Sequence, residues 1–435
     1  MLSYMQKIIS MKVERIAHDG AAETLHDGLC VRVHGMLPEE EGVVEITKKR
    51  KIYEGTLKEL TRASVRRKTP EELHYLSCSP WQVMEYPLQA ELKHDLLVSL
   101  FGYYDDAPKS SFVPAEQFFG YRTKVEYSFT DRNGAGSAPL SLAFHVRGGG
   151  NLRIALHEGC ALASEGMNRV ALSVCARLRD EGYVARDLKT LVVRESKSTG
   201  KFIAILFAKN SAIAEFPVSD IPNLSGFIAF HSTEKSPASV PTEELWRWGD
   251  ASLEESVDGL RLRYSWNSFF QNNIPMFVRA LALMRAHIAP DARILELYSG
   301  VGTIGLALAN DAKEVRGVET IVSAVESANA NAHALGLVNY STIGISAEKM
   351  EAKLMDGINV IVLDPPRAGL HPKVIGMLRT ACPAQIIYLS CNPETQARDY
   401  ALLSDLYRID RCTGFDFYPQ TPHLESLLVL SLRKG

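Results

Sequence analysis

A cysteine close to the end of the chain stands where a nucleophile could act. Cys391 follows the apolar run QIIYLS and lies between Ser390 and Asn392, at the end of a predicted strand. A lone cysteine is most often a small buried hydrophobic residue. A cysteine at the mouth of a sheet becomes a nucleophile when its thiolate is stabilised. The position of Cys391 in the sequence leaves both interpretations open.

Two carboxylates occupy comparable positions. Asp364, in VLDPPRAG, follows an apolar strand and precedes two prolines that fix the backbone. Ligands of open α/β sheets bind at the carboxyl ends of the strands, so this segment is predicted to position a substrate, with a simple turn as the alternative. Glu425 begins the apolar run ESLLVL. It is either a solvent-facing charge at a strand end or a desolvated general base.

A glycine-rich turn precedes these residues in the chain. The apolar run ARILELYS leads into Gly300, Gly302 and Gly305, and a helical pattern follows. Glycine permits a tight turn and the close approach of a ligand. Glu319 ends the next predicted strand, 19 residues after Gly300, where a carboxylate can bond both hydroxyls of a ribose. This order favours a nucleotide site, and it fits a dinucleotide as well as S-adenosylmethionine.

The elements that must position these residues change in character along the chain. Residues 266–435 alternate apolar runs with helical stretches, which predicts an α/β, Rossmann-like domain with a parallel sheet. Residues 67–265 have the pattern of a central α+β domain, mostly antiparallel. Residues 1–66 are short strands separated by turns, at the spacing of a small, OB-type β-barrel.

Composition limits the classes of function. The 435 residues include 48 basic and 51 acidic side chains, and the formal net charge of −3 excludes a wholly basic, histone-like protein. No window approaches the ~20 apolar residues of a membrane span, and the first residues lack a secretory cleavage site. Seven scattered cysteines argue against a disulfide framework. We therefore expect a cytoplasmic protein without a membrane partner.

One segment departs from the acidic balance of the chain. Residues 48–68 contain nine basic and two acidic side chains, and the run begins with Lys48, Lys49 and Arg50. Such a run is either a solvated strand face or a patch that contacts phosphates, as in many nucleic-acid-binding modules. The sequence leaves these two alternatives open.

Together, the motifs resemble those of the RNA uracil-5 methyltransferases, which make 5-methyluridine in tRNA and large-subunit rRNA. The resemblance covers nearly the whole chain, because SWNSFFQNN, the glycine turn, DPPR, SCNPETQARD and the terminal HLE follow in the family's order. Residues 1–66 resemble the TRAM domain, a small RNA-binding barrel. The segment GYRTKVEYSF, residues 120–129, resembles an element of the central domain that contributes to RNA handling.

The resemblance implies a role for each motif. Cys391 would be the nucleophile and Glu425 the base. The S-adenosylmethionine site would be lined by Gln271, Tyr298, Gly300, Glu319 and Asp364. The residues expected to contact RNA are Arg122 and Lys124 of the central element and, if the basic run is a phosphate patch, Lys48, Lys49 and Arg50.

The implied reaction explains why these residue types are needed. Carbon-5 of uracil is a poor nucleophile, and attack of a thiolate on carbon-6 turns the ring into an enolate that can accept a methyl group at carbon-5. A base then removes the carbon-5 proton so that the cysteine can be expelled. One nucleophile and one carboxylate suffice, and no metal is required. A uridine in folded RNA must also be turned out of its stack.

The sequence differs from the family pattern at two places. Many relatives with a TRAM domain hold an iron–sulfur cluster on four cysteines, whereas here Cys78 and Cys160 fall at two of those positions and Thr69 and Tyr75 replace the others. Two thiolates cannot complete such a cluster, so we expect none. Thr303 stands in the glycine turn where many relatives have Asn, which leaves that cofactor contact open.

Other functions remain alternatives. An RNA-binding or folding factor with a vestigial methyltransferase domain would not need intact Cys391, Glu425 and Asp364. A nicotinamide-dependent oxidoreductase is supported by the glycine turn alone, and a cytosine-5 RNA methyltransferase would carry its nucleophile in a proline–cysteine context that the sequence lacks. We expect a monomer that acts on rRNA or tRNA, and the TRAM-like barrel favours rRNA.

Overall fold

The computed structural model describes residues 6–104, 108–133, 136–147 and 152–433. In these ranges the strands form a six-stranded N-terminal sheet, a seven-stranded central sheet, a two-stranded ribbon and an eight-stranded C-terminal sheet. The prediction of a mixed α/β protein with a Rossmann-like C-terminal domain is confirmed. Within the same ranges, no helix has the length and apolar character needed to cross a membrane.

The N-terminal sheet is formed by short strands of alternating burial. Its strands are β1 (Gln6–Lys12), β2 (Arg15–Ile16), β3 (Ala22–His26), β4 (Leu29–Val33), β5 (Glu41–Lys49) and β6 (Ile52–Arg62). They pair in the order β1–β5–β6–β4–β3–β2, with β4 and β6 parallel. On β5, Val44 and Ile46 are fully buried and their neighbours are not, as the two-residue period of a strand requires. The TRAM-like identity of this sheet stays a prediction.

The segment after the N-terminal sheet packs onto the C-terminal half of the chain. It contains α1 (Tyr75–Cys78), a 3₁₀ turn (Pro80–Val83), α2 (Tyr86–Phe101) and β7 (Ser111–Val113). From the sequence, this segment is expected to belong to the central domain. In space, β7 pairs in parallel with residues 413–415 and forms an edge of the C-terminal sheet. The domain boundaries at residues 66 and 265 stay a proposal, and β7, which lies between them in the sequence, belongs to the C-terminal sheet.

The central sheet carries one long helix on its face. Its strands are β8 (Lys124–Asn133), β9 (Gly136–His145), β10 (Arg153–Leu156), β11 (Leu188–Glu195), β12 (Phe202–Ala208), β13 (Leu224–His231) and β14 (Glu243–Gly249). All neighbours are antiparallel except β12 and β13. The helix α3 (Glu165–Asp180) begins where Ser164 Oγ accepts from Met167 N at 3.1 Å, and its apolar face packs on the sheet.

The C-terminal sheet decides where the predicted site residues lie. After the ribbon β15 (Ser252–Val257) and β16 (Leu260–Ser265), it contains β17 (Ala292–Leu297), β18 (Ala312–Glu319), β19 (Tyr340–Gly344), β20 (Val360–Leu363), β21 (Gln385–Ser390), β22 (Tyr407–Phe415) and β23 (Glu425–Leu432). The order is β19–β18–β17–β20–β21–β23–β22–β7. The strands β17 to β21 are parallel, whereas β23 is antiparallel to β21.

Helices connect these strands and complete the domain. They are α4 (Ile274–His287), α5 (Thr303–Leu308), α6 (Val322–Ala334), α7 (Pro372–Ala381) and α8 (Pro393–Ala401), with 3₁₀ turns at Ala309–Asp311, Ala347–Lys349 and Ala352–Met355. Because β17, β18, β20 and β21 are parallel, their carboxyl ends share one edge of the sheet. The first residue of β23 lies at this same edge because that strand runs in the opposite direction.

Candidate active site

Cys391 and Glu425 meet where β21 ends and β23 begins. In the antiparallel register Ser390 is paired with Ser426, so Cys391 and Glu425 lie directly beyond this pair. The Ser426 hydroxyl donates to the Ser390 carbonyl at 3.4 Å, which ties the two strand ends together. Glu425 is 4% exposed, and Cys391 is partly buried. The fold therefore brings together the two residues predicted to act on the substrate.

The Cys391 thiol lies in an acidic environment from which water is partly excluded. Burial is the largest cause that raises its pKa, Glu425 and Asp364 act in the same direction, and Arg367 opposes them. The resulting pKa is about 12. The thiol is therefore protonated at neutral pH in the free protein, and it must lose its proton before it can attack.

The two oxygens of the Glu425 carboxyl have different surroundings. Oε1 accepts a hydrogen bond of 3.3 Å from the Tyr418 hydroxyl. Oε2 is buried and has no hydrogen-bond partner among the described residues. Burial, and then Asp364, raise the pKa of Glu425 well above its usual range, while Tyr418 and Arg367 lower it. A desolvated carboxyl group with one free oxygen suits a general base.

Asp364 follows β20, between the glycine turn and Cys391. Gln271 Nε2 donates to Asp364 Oδ2 at 3.3 Å. Burial raises the pKa of Asp364 to about 7, and the hydrogen bond from Gln271 acts in the opposite direction. The backbone of Gln271 is held in turn by Thr123, whose hydroxyl donates to the Gln271 carbonyl at 2.9 Å. The FFQ and DPPR segments, which the sequence places in one site, are thus in direct contact.

The turn after β17 has a backbone that few residues accept. Tyr298 has a φ of +64° and Gly302 a φ of +80°, both in the left-handed region. A Cβ added to Gly302 would lie 2.3 Å from the Tyr340 hydroxyl oxygen, and one added to Gly305 would lie 2.4 Å from Glu296 Oε2. Glu296 is buried and accepts from Gly305 N at 3.1 Å. These close approaches explain the glycines of the motif.

Glu319 joins the end of β18 to the glycine turn. Its Oε2 accepts from Gly300 N at 2.9 Å, and its Oε1 accepts from the N–H groups of Thr320 and Ile321 at 2.7 and 2.8 Å. A carboxylate oxygen can accept two hydrogen bonds, so Oε2, which accepts one from the protein, can still accept one from a ribose hydroxyl. Tyr298 lies half-buried against the core of the sheet, and burial raises its pKa to about 12.

Arg367 connects three of the predicted motifs. Its carbonyl accepts from Asn392 Nδ2 at 3.0 Å and from Thr395 Oγ1 at 3.3 Å, and its Nη2 lies 3.3 Å from His423 Nδ1. In the sequence, Arg367 is part of DPPR and carries no predicted role. Tyr418 is not recognisable from the sequence either, because a tyrosine in the short segment FDFYP has no periodic or spacing signal. Only the contact with Glu425 distinguishes it.

The two central-domain residues predicted to contact RNA face different cavities. Arg122 is half-buried, and its Nε has no hydrogen-bond partner among the described residues. It lines a cavity of roughly 330 Å³ together with Thr421 and His423. Lys124 is exposed and lines a second cavity of roughly 450 Å³ beside Phe269. Their contact with RNA stays a prediction.

The basic run of the N-terminal sheet is partly neutralised by ion pairs. Salt bridges join Lys49 to Glu54, Lys58 to Glu45, Arg62 to Glu41 and Arg67 to Glu40. Lys48, Lys49 and Arg50 remain exposed at the end of the β5–β6 hairpin. They belong to the N-terminal sheet, whereas Cys391 follows a strand of the C-terminal sheet, and their contact with RNA stays a prediction.

Cys78 and Cys160 lie together beside Glu72. One ligand atom from each of these residues lies within 4.8 Å of the other two. Cys78 Sγ donates to Glu72 Oε1 at 3.0 Å, and Glu72 Oε2 accepts from Ala161 N at 2.7 Å. The carboxylate is thus engaged by the protein itself, and two thiolates are too few for an iron–sulfur cluster. The expectation that the protein holds no such cluster stays a prediction.

Comparison with known proteins identifies the part of the chain that contains this site. Residues 251–433 match the family described as tRNA (Uracil-5-)-methyltransferase. These residues belong to the uracil-5 RNA methyltransferase family. The uracil-5 methyltransferase domain contains the predicted catalytic and cofactor residues, from Gln271 to Glu425. The resemblance drawn from the motifs is confirmed. The expectation of an RNA methyltransferase is confirmed at the level of the family.

Relatives of the uracil-5 methyltransferase domain share the rest of the chain as well. An "Uncharacterized RNA methyltransferase" of Lactobacillus johnsonii is 28% identical over 98% of this chain and 99% of its own. The tRNA (uracil(54)-C(5))-methyltransferase of Pyrococcus abyssi is 29% identical over 88% of this chain and 90% of its own.

A solved structure has the same architecture. The crystal structure of Pyrococcus abyssi tRNA (uracil-54, C5)-methyltransferase in complex with S-adenosyl-L-homocysteine has a TM-score of 0.80 with this chain and is 24% identical. The match covers 97% of this chain and 100% of that one. It shows that the fold described above is shared over nearly the full length.

Proposed function

We propose that this protein transfers a methyl group from S-adenosylmethionine to carbon-5 of a specific uridine in structured RNA. The observation that carries the proposal is the meeting of Cys391, Glu425 and Asp364 at one sheet edge within the uracil-5 methyltransferase domain. A thiol and a carboxyl base are the groups that this reaction requires. The names of the archaeal relatives support the same reaction type.

The sheet edge fits the proposed methyl donor. The glycine turn, Glu319 and Asp364 follow three neighbouring parallel strands, and open α/β sheets bind their ligands there. We assign the lining of the cofactor site to Gln271, Tyr298, Gly300, Glu319 and Asp364. S-adenosylmethionine supplies an electrophilic methyl group when it is bound.

Cys391 and Glu425 then act in turn on the uracil ring. The Cys391 thiolate attacks carbon-6, and the electrons of the C5–C6 double bond move to form an enolate. Once carbon-5 carries the methyl group, Glu425 removes the carbon-5 proton. The electrons of that C–H bond re-form the double bond, the C6–S bond breaks, and Cys391 leaves as a thiolate. The target uridine must be turned out of its stack to reach the site.

Two classes of RNA are candidates for the substrate. The TRAM-like N-terminal sheet favours rRNA, whereas the family description and the archaeal relative name tRNA. Structured RNA is recognised through its shape and its unpaired loops, which the positions of Arg122 and Lys124 do not specify. We keep rRNA as the first candidate and tRNA as the second, and both belong in the test.

Incubation with labelled S-adenosylmethionine tests the proposal. Purified protein is given separate tRNA and rRNA pools that lack the modification, and the nucleosides are then analysed. We expect label in 5-methyluridine from one pool. Cys391→Ala is expected to abolish the product, and Cys382→Ser, which changes a cysteine of similar exposure away from the site, is expected to retain it.

Different products would reject the assignment. Label in 5-methylcytidine or 1-methylguanosine would contradict the reaction proposed here. RNA binding without methylation of either pool would instead favour the alternative of an RNA-binding or folding factor with a vestigial methyltransferase domain. Under that alternative, the Cys391→Ala protein would support every function of the wild type.

A further inference from the structure

Tyr418 holds one side of the carboxyl group that is proposed to be the base. Its hydroxyl donates to Glu425 Oε1 at 3.3 Å, while Oε2 has no hydrogen-bond partner among the described residues. A carboxylate fixed at one oxygen presents the other in a defined direction. In the free protein, this contact therefore leaves Oε1 hydrogen-bonded and Oε2 available to accept a proton.

The backbone of Tyr418 is itself fixed from two directions. Its carbonyl accepts from Lys93 Nζ at 3.1 Å and from Thr421 Oγ1 at 2.7 Å. Lys93 also donates to Asp416 Oδ1 at 2.6 Å, and both side chains of this pair are fully buried. Helix α2 thus holds the segment that contains Tyr418. The tyrosine therefore has its position beside Glu425 already in the free protein.

The charged and titratable groups around Glu425 come from several elements. Asp364 follows β20, Arg367 lies in the next loop, Cys391 follows β21, and Tyr418 precedes β23. Burial and Asp364 raise the pKa of Glu425, whereas Tyr418 and Arg367 lower it. Besides burial, two further groups, Tyr121 and Arg122, act on the pKa of Tyr418 itself, the first raising it and the second lowering it.

We propose that Tyr418 is a positioning residue for the base, because its hydroxyl holds Glu425 Oε1 so that the free Oε2 takes the carbon-5 proton. This role rests on the proposed function. It concerns the last step alone: Oε2 gains the proton, the electrons of the C–H bond re-form the C5–C6 double bond, and the C6–S bond to Cys391 breaks. Attack by Cys391 and methyl transfer come before this step.

Tyr418→Phe in single-turnover reactions tests the role. Wild-type and variant proteins are mixed with methyl donor and substrate RNA, quenched in denaturant, and the covalent protein–RNA adduct is followed over time by electrophoresis. Because the hydroxyl favours the ionised carboxylate, its loss raises the pKa of Glu425 and leaves less base at neutral pH. We expect the adduct to form at the wild-type rate and to decay about tenfold more slowly. A tenfold change corresponds to about 1.4 kcal/mol, close to the contribution of one hydrogen bond to a charged group.

The pH dependence separates this role from simple damage to the fold. Below the pKa of Glu425 the base is protonated, so the decay rate falls as the pH falls. In Tyr418→Phe this acidic limb moves to higher pH, and the decay rate approaches that of the wild type in alkaline solution. Damage to the fold would lower the rate at every pH.

Tyr121→Phe is the matched control. It also removes one hydroxyl, which donates to the Pro419 carbonyl at 3.2 Å in the same segment and does not contact Glu425. We expect it to leave the acidic limb in place. Equal decay of the wild type and Tyr418→Phe at all pH values, or an equal loss in both variants at all pH values, would overturn the role. Absence of any adduct with the wild type would instead refute the proposed function itself.

Discussion

At the scale of single residues, the pKa of Cys391 determines how much thiolate is available for the first step of the proposed reaction. The thiol is the reacting group only after it has lost its proton, and burial and two carboxyl groups oppose that loss. Arg367 favours the thiolate and lies within the loop that contacts Asn392. Since the pKa of about 12 lies above neutrality, the thiolate fraction rises as the pH rises.

RNA that contains 5-fluorouridine should trap Cys391. Fluorine cannot leave carbon-5 as a proton does, so the adduct is expected to persist on a denaturing gel. Its rate of formation should increase with pH, by up to about tenfold per pH unit, because the thiolate fraction increases in that proportion below the pKa. The Cys382→Ser protein should behave as the wild type. An adduct that survives in Cys391→Ala, or a rate that falls with pH, would count against the mechanism.

At the scale of elements, the direction of the last strand decides whether Glu425 lies beside Cys391. The strands before it present their carboxyl ends at the ligand edge, as parallel strands must. Because β23 is antiparallel to β21, its first residue reaches that edge and lies beside Cys391. A parallel β23 would place Glu425 at the opposite end of the sheet.

Helix α2 is the second element on which the site depends. Its buried Lys93 pairs with Asp416, and we expect Lys93→Met to lower the free energy of unfolding by about 3–5 kcal/mol, because Asp416 would remain buried without its partner. Urea titration followed by circular dichroism measures the change. The substitution also withdraws the hydrogen bond to the Tyr418 carbonyl.

Asp95→Asn on the same helix is the control for this prediction. Asp95 is exposed, and surface substitutions of this kind change stability by about 0.5 kcal/mol or less. Adding Asp416→Asn to Lys93→Met removes the unpaired charge and should recover part of the loss. If Lys93→Met unfolds at the wild-type urea concentration, the ion pair does not stabilise the fold.

At the scale of the whole molecule, three parts of the chain contact α8 or the segment before β23. Trp81 N, in the segment after the N-terminal sheet, donates to the Gln420 carbonyl at 3.0 Å. His18, in the turn between β2 and β3, pairs with Glu394 at the start of α8. In the central domain, the Tyr121 hydroxyl donates to Pro419. RNA bound to these parts would therefore adjoin the elements that carry Cys391 and Glu425.

The exposed end of the basic run should contribute to RNA affinity through charge. Substitution of Lys48, Lys49 and Arg50 by Ala is expected to weaken binding uniformly across RNA sequences. Each lost phosphate contact should also reduce the slope of log affinity against log salt by about 0.7–0.9. Filter binding at several salt concentrations measures both effects.

An equal change of charge elsewhere controls for net charge. Lys313, Lys353 and Arg408 are exposed on the C-terminal domain, and their replacement by Ala should leave the salt slope unchanged. If both triple variants lose the same affinity, the effect is one of overall charge. If the variant that lacks Lys48, Lys49 and Arg50 keeps the wild-type salt dependence of RNA binding, the basic run is a solvated strand face.

The amino-acid sequence was enough to predict the candidate site residues and the local framework around them. Cys391, Asp364, Glu425 and the glycine turn can be recognised because apolar runs, turns and strand ends are set by neighbouring residues. The Rossmann-like fold follows from the same alternation of strands and helices. These features are local, so they can be read without knowing which strands become neighbours.

Which side chains come into contact depends on the tertiary structure. Tyr418 reaches Glu425, and α2 and β7 join the C-terminal sheet, through contacts between segments that lie far apart in the sequence. The ion pairs that neutralise part of the basic run, such as Lys49 with Glu54, likewise depend on strand register. Strand order and register are set by packing of the whole core, and no short stretch of sequence records them.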